Sequence, residues 1–367
     1  MSDVYFIDRR ADVDNSVIDR LKNLIDKTDM EKALNPNDTV AVKLHFGEPG
    51  LTTFLRPVYV RPFTRKVKDC RALPFLTDAN TIYHGPRADG VRHLNTAVRN
   101  GFSYTVTGAP VIIADGIDSG NRVEVEINQK YYKKVKIAGE AHRAKAMIVL
   151  SHFKGHEMFG FGGAVKNIGM GLAVKEGKLS LHSSVKPSVN QDNCTRCGAC
   201  IRHCPEEAVK MTDQGAVIDR DICTGCGHCI MVCRYRAVKI SWDMDFSEAQ
   251  KRTVEYALGV MKPKKDKIWF FNFLEDITPE CDCYGFSDAP LTRDIGIMAS
   301  KDPVALDQAS YDMVKNAGAM ENSKAAGLKK GEDKFKGGHP ETNPEPLFGY
   351  AQKIGLGERK YNLIELD

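Results

Sequence analysis

Cys194-Thr195-Arg196-Cys197-Gly198-Ala199-Cys200-Ile201-Arg202-His203-Cys204-Pro205 places four cysteines at gaps of two, two and three residues. A second run, Cys223, Cys226, Cys229 and Cys233, repeats that spacing. Two-residue gaps let three thiolates of one turning loop reach three corners of a [4Fe–4S] cube. Small residues leave room for it: Gly198 and Ala199 in the first loop, Gly225 and Gly227 in the second. In two-cluster ferredoxins the last cysteine of each run ligates the opposite cluster. The spacing therefore predicts Cys194, Cys197, Cys200 and Cys233 on one cluster, and Cys223, Cys226, Cys229 and Cys204 on the other. C-x2-C pairs also build zinc sites, but three cysteines at successive two-residue gaps with a fourth three residues on, occurring twice, follow the ferredoxin pattern. Arg234 stands where a proline follows the first run. A positive charge so close to a cluster favours its reduced form.

Outward from this segment the sequence alternates strand-like and helix-like stretches. Before it, Val4–Ile7, Thr39–His45, Leu73–Leu76 and Ala146–Leu150 read as strands, and Val17–Ile25 and Val91–Val98 as helices. After it, Ser247 and Gln250 match a capping box opening a helix through Val260. Ile268–Phe273 and Asp294–Ala299 then read as strands. Asp302-Pro303 starts a helix to Val314, and a last helix lies near Pro346–Ile354. The same grammar on both sides predicts an α/β domain, a mixed or mostly parallel sheet flanked by helices. Into it is inserted an α+β ferredoxin-like two-cluster segment. The divisions are 1–188, 189–241 and 242–367.

Composition supports a globular chain: 42% of the 367 residues are apolar, enough for a buried core. The net charge of +4 is spread along the chain, with no basic stripe or DNA-binding helix pair, so a nucleic-acid partner is not expected. No apolar run approaches the ~20 residues of a membrane span. Eleven cysteines without a signal segment read as metal ligands rather than disulfides. A cytoplasmic protein of a low-oxygen host is expected.

Polar residues cluster after the strands, where ligands of α/β folds gather: Lys43, His45 and Glu48; Asp78 and Asn80; His152, Lys154 and His156. The last group opens a glycine-rich stretch with Gly160, Gly162, Gly163, Lys166 and Asn167. It is neither a P-loop nor a dinucleotide fingerprint. Two readings stand: a tight packing turn, or a loop whose backbone N–H groups and Lys166 bind an anion such as a flavin phosphate. Cys281 and Cys283 flank Asp282 in a polar stretch. If extended, both thiols face one side and could bind one metal, attack one substrate carbon or form a redox pair.

Three stretches resemble a family: Lys43-Leu44-His45-Phe46-Gly47-Glu48; Lys154-Gly155-His156 with Gly162-Gly163-Ala164-Val165-Lys166-Asn167-Ile168-Gly169-Met170-Gly171; and Asp294 to Asp307. They are similar to domain of unknown function 362, a group of Fe–S-centre proteins. The resemblance implies two [4Fe–4S] clusters and an α/β domain, and supplies no substrate. The leading functional expectation is an oxidoreductase. Its clusters would exchange electrons with a flavin or small anionic substrate held by Lys43, His45, His156, Lys166, Asn167, Cys281 and Cys283, and with a donor or acceptor protein. The alternatives are an electron-transfer or maturation partner of another enzyme, and a redox sensor.

Overall fold

The computed structural model describes residues 1–83, 85–181, 187–204, 206–223, 229, 232–235, 237–240 and 246–366. Pro205, Gly225, Cys226 and Gly227 lie outside the described residues. One seven-stranded sheet organises the chain. Its strands are β1 (Ser2–Asp8), β2 (Thr39–Lys43), β3 (Leu73–Thr77), β6 (Ala146–His152), β13 (Ile268–Leu274), β14 (Gly296–Ser300) and β15 (Tyr361–Glu365). The order is β15-β1-β14-β13-β6-β2-β3, and only β14 runs against the rest. The fold is therefore α/β with a mostly parallel sheet, and the C-terminal ends of β2, β3, β6 and β13 share one edge.

Both faces of the sheet are covered, which explains the continuous apolar runs. Along β13, Trp269, Phe271 and Phe273 enter one core and Ile268, Phe270 and Leu274 the other. The first core takes Leu21, Leu24 and Ile25 from helix Val17–Asp26, which opens on a Ser16/Asp19 capping box, and Val60, Phe63 and Val67 from helix Val60–Asp69. The second is built by helices Ala164–Gly169, Phe246–Met261, Pro303–Asn316 and Glu345–Lys353. Among the described residues no helix is long and apolar enough to cross a membrane.

Ser247 and Gln250 form no capping box. The helix already includes Phe246, and Gln250 is buried. Its amide nitrogen donates to the Met158 and Asn343 carbonyls at 3.1 and 3.0 Å, and its oxygen accepts from Leu347 N–H at 3.1 Å. The coarse strand–helix reading also passes over the hairpin of β4 (Arg122–Glu126) and β5 (Lys134–Ala138), although both alternate with period two. It passes over edge strand β15 as well, whose exposed polar positions weaken the apolar signal.

The cysteine segment has a small core of its own: Cys200, Val209, Ala216, Cys229, Cys233, Ala237 and Val238. Here β9 (Pro187–Val189) pairs antiparallel with β12 (Val238–Ile240), and β10 (Val209–Met211) with β11 (Ala216–Ile218). Between β9 and β10 lies the short helix Ala199–Arg202.

Candidate functional site

At the edge shared by β2, β3, β6 and β13 the chain encloses a cavity of about 440 Å³. Its wall includes five cationic side chains (Lys43, Arg87, Lys154, Lys166 and Lys178) against the two carboxylates Asp78 and Glu157. Burying so many charges is costly unless each is partnered, and the partners define the site.

Two halves of the cavity repeat one local device. Lys43 ends β2 and His45 follows. Lys154 and His156 form β7 (Lys154–His156), which pairs with β8 (Gly160–Gly162) just after β6. Lys43 Nζ lies 3.0 Å from Asp78 Oδ1 and donates to Asn167 Oδ1 at 2.6 Å. Lys154 Nζ lies 3.5 Å from Asp282 Oδ2. Burial opposes ionisation of both aspartates, but Lys43 at Asp78, and His152 with Lys154 at Asp282, hold each carboxyl well below its usual range. His45 Nδ1 accepts the Gly47 N–H at 3.0 Å, and His156 Nδ1 accepts the Met158 N–H at 3.1 Å. With Nδ1 accepting, each neutral ring carries its proton on Nε2. Burial lowers both pKa values, that of His156 to about 3. At neutral pH both rings are thus Nε2–H donors rather than general bases. Their Nε2 atoms are not free to ligate a metal in this tautomer.

Cys281 to Tyr284 is a turn, not an extended stretch: Tyr284 N–H donates to the Cys281 carbonyl at 3.0 Å. Both thiols nonetheless line the cavity, while Asp282 turns to His152 Nδ1 at 2.8 Å. Cys281 is buried and its Sγ lies 3.6 Å from Lys166 Nζ. The hydrogen bond from Cys283 and the charges of Lys166 and Lys154 outweigh burial and bring its pKa down to about 6. Cys283 Sγ lies 3.5 Å from His45 Nε2. Burial opposes the charge on Lys166, yet the two sulfurs raise its pKa.

The first two N–H groups of helix Ala164–Gly169 are already taken. Ala164 N–H and Val165 N–H donate to the buried Asp307 carboxylate at 2.7 and 2.9 Å, and Asn272 Nδ2 donates to it at 2.8 Å. Burial pushes the Asp307 pKa up to about 6 against those donors. Glycine here permits close packing: a Cβ on Gly163 would lie 2.3 Å from Asp307 Oδ1, and one on Gly155 2.1 Å from the Pro279 carbonyl oxygen. Gly160, with φ +80°, opens β8 near Thr342 and is not part of the cavity wall. Gly162, Gly163, Lys166 and Asn167 do line it. Asn167 is fixed by donating to the Leu150 carbonyl and Ser151 Oγ, each at 3.0 Å.

The sequence reading missed Arg87, Lys178 and Glu157. Arg87 pairs with Glu48 at 2.8 Å, and Lys178 Nζ donates to the Ala79 and Asn80 carbonyls at 3.1 and 2.6 Å. Arg87 lies in an irregular loop and Lys178 on helix Lys175–Leu181; neither has a spacing signal. Burial lowers the Lys178 pKa to about 8.

In the cysteine segment, Cys194, Cys197, Cys200 and Cys233 line one small pocket. Backbone N–H groups point at the sulfurs: Ala216 at Cys194 (3.4 Å), Ala208 at Cys204 (3.3 Å) and Ala237 at Cys233 (3.2 Å). Among the described residues, no three His, Cys, Asp or Glu side chains gather as they would around a single metal ion.

Residues 40–312 match the family described as Domain of unknown function (DUF362). The chain belongs to this family. No curated protein matches this DUF362 member. Among solved structures, the lactate racemase apoprotein from Thermoanaerobacterium thermosaccharolyticum aligns with 75% of this chain and 51% of its own, at 14% identity and a TM-score of 0.37. A protein from Thermotoga maritima aligns with 81% of this chain and 57% of its own, at 9% identity and a TM-score of 0.42. The DUF362 chain thus spans about half the length of the solved structures it matches.

Proposed function

We propose that this DUF362 protein is an iron–sulfur oxidoreductase: residues 189–241 hold two [4Fe–4S] clusters, and the α/β cavity binds a small anionic substrate. The observation that carries the cluster reading is that Cys233, distant in sequence, joins Cys194, Cys197 and Cys200 around one pocket. Crossed ligation asks for that set. Cys204, Cys223 and Cys229, with Cys226 from outside the described residues, would hold the second cluster. Backbone N–H groups on the sulfurs suit anionic thiolate ligands and tune their potential. Bound clusters would supply one-electron transfer.

In the cavity the excess of cationic side chains favours an anion. Lys166 and Lys178 attract it, and the Nε2–H groups of His45 and His156 donate to its oxygens. Asn167 and Asp78 keep Lys43 in place. A flavin phosphate would have to be held by these lysines, because Asp307 already fills the N-terminus of the glycine-run helix.

The rival reading, an electron-transfer partner with no substrate, draws on the exposed Val217, Ile222 and Tyr235 of the cysteine segment, which suit docking of another protein. Anaerobic protein reduced with dithionite and mixed with small anions (nitrite, sulfite, 2-oxo acids) separates the two. Reoxidation by one of them, lost in Lys166→Ala with iron content unchanged, is the expected result. Reoxidation only by a protein such as a ferredoxin or flavodoxin contradicts the substrate cavity.

A further inference from the structure

We infer that Cys281 and Cys283 form a redox-active dithiol whose oxidation state sets the charge of the cavity. The two thiols stand two residues apart on one turn and line the same cavity, and each faces its own polar partner: Lys166 at Cys281, His45 at Cys283. A thiol pair kept for packing would sit among apolar atoms. Here the charged groups acting on Cys281 are Lys166, Lys154 and Glu157.

Lys166 gives the charge argument. Among the described residues no carboxylate lies within ion-pair distance of its ammonium, and its nearest polar partner is the Cys281 sulfur. With the thiols reduced, the Cys281 thiolate balances Lys166. With the disulfide formed, that negative charge is gone and Lys166 is left to a ligand. Oxidation therefore raises the affinity of the cavity for an anion, and reduction lowers it without closing the cavity.

The electron balance rests on the proposed clusters. Reduction of the disulfide would take up two electrons, one from each of the two clusters proposed above, and one proton from solvent. The S–S bond breaks, Cys281 leaves as the thiolate facing Lys166, and Cys283 leaves as the thiol. A pair of one-electron carriers is thereby matched to a two-electron store without a flavin.

The test uses anaerobic full-length protein equilibrated with oxidised or reduced dithiothreitol and trapped with maleimide. The tryptic peptide Ile268–Arg293 contains both cysteines and no other. It is expected to take two maleimides from the reduced protein, and none from the oxidised protein, where it is lighter by two hydrogens. Sulfate, the binding probe, is expected to bind the oxidised form about tenfold more tightly. Cys281→Ser and Lys166→Ala should both abolish that difference, while Lys166→Ala still forms the disulfide. Two maleimides under both conditions overturn the dithiol, and equal sulfate affinity in both states overturns the charge coupling. Iron measured on the same samples keeps the readings apart: iron-free protein that forms the disulfide contradicts the clusters alone.

Discussion

The cysteine segment and the cavity are built on opposite principles. The segment is drawn from a single stretch of the chain, and one local device recurs in it: Cys204 accepts from Ala208 N–H and Cys233 from Ala237 N–H, each four residues on. In the cavity, Lys43, Asp78, Lys154 with Lys166, and Cys281 come from four separate stretches and meet only because four strand ends share an edge. The first region depends on spacing and the second on the whole sheet. Damage should therefore stay local in one and spread in the other.

The largest expected effect breaks the two regions apart. Replacing 189–241 with a short linker should remove all cluster absorbance yet leave a cooperative melt, because the seven sheet strands lie outside that span. Insolubility with several linkers would show that the segment belongs to the main core. Next comes Asp307→Ala, which leaves two buried backbone donors without an acceptor and Asn272 Nδ2 with Ser310 Oγ alone. A loss of about 3 kcal/mol is expected in denaturant titration, with Asp307→Asn losing less. A loss under about 1 kcal/mol would mean that the glycine-run helix does not need this clamp.

Smaller effects sharpen the electrostatics of the cavity. The Cys281 thiolate is the reactive form, and its depressed pKa means that alkylation should rise through pH about 6. Lys166→Ala removes a cation that favours the thiolate, so the midpoint should move upward, by about one unit. An unchanged midpoint would leave Cys283 and Lys154 as the groups responsible. Smallest is the pH dependence of sulfate binding. Lys178 faces Asp115, Asp78, Lys43 and Arg87, and burial lowers its pKa to about 8. It therefore loses its charge as pH rises through that value, and affinity should fall a few-fold above it. A flat profile from pH 7 to 9 (roughly one unit to either side) would place Lys178 outside the anion site.

The sheet was legible where burial is two-sided. Ile268–Phe271 and Ala146–Leu150 are apolar without interruption because both faces are covered. The edge strand Tyr361–Glu365, where polar and apolar residues interleave, was not read. In the site, lysines and histidines at strand ends were legible because the fold rule points them to one edge. Arg87 and Lys178 were not, because their place depends on how a loop and a short helix fold back over that edge. The glycine run was legible as a stretch of close approach, but what approaches is Asp307, distant in sequence and invisible to local pattern.

The central claim, that the cysteine segment carries two [4Fe–4S] clusters beside a separate anion cavity, is tested most directly by iron and acid-labile sulfide counts on anaerobically purified full-length protein. About eight of each per chain, with a broad visible absorbance, is the predicted result. Two tightly bound zinc ions per chain, with no sulfide and no colour, would contradict it.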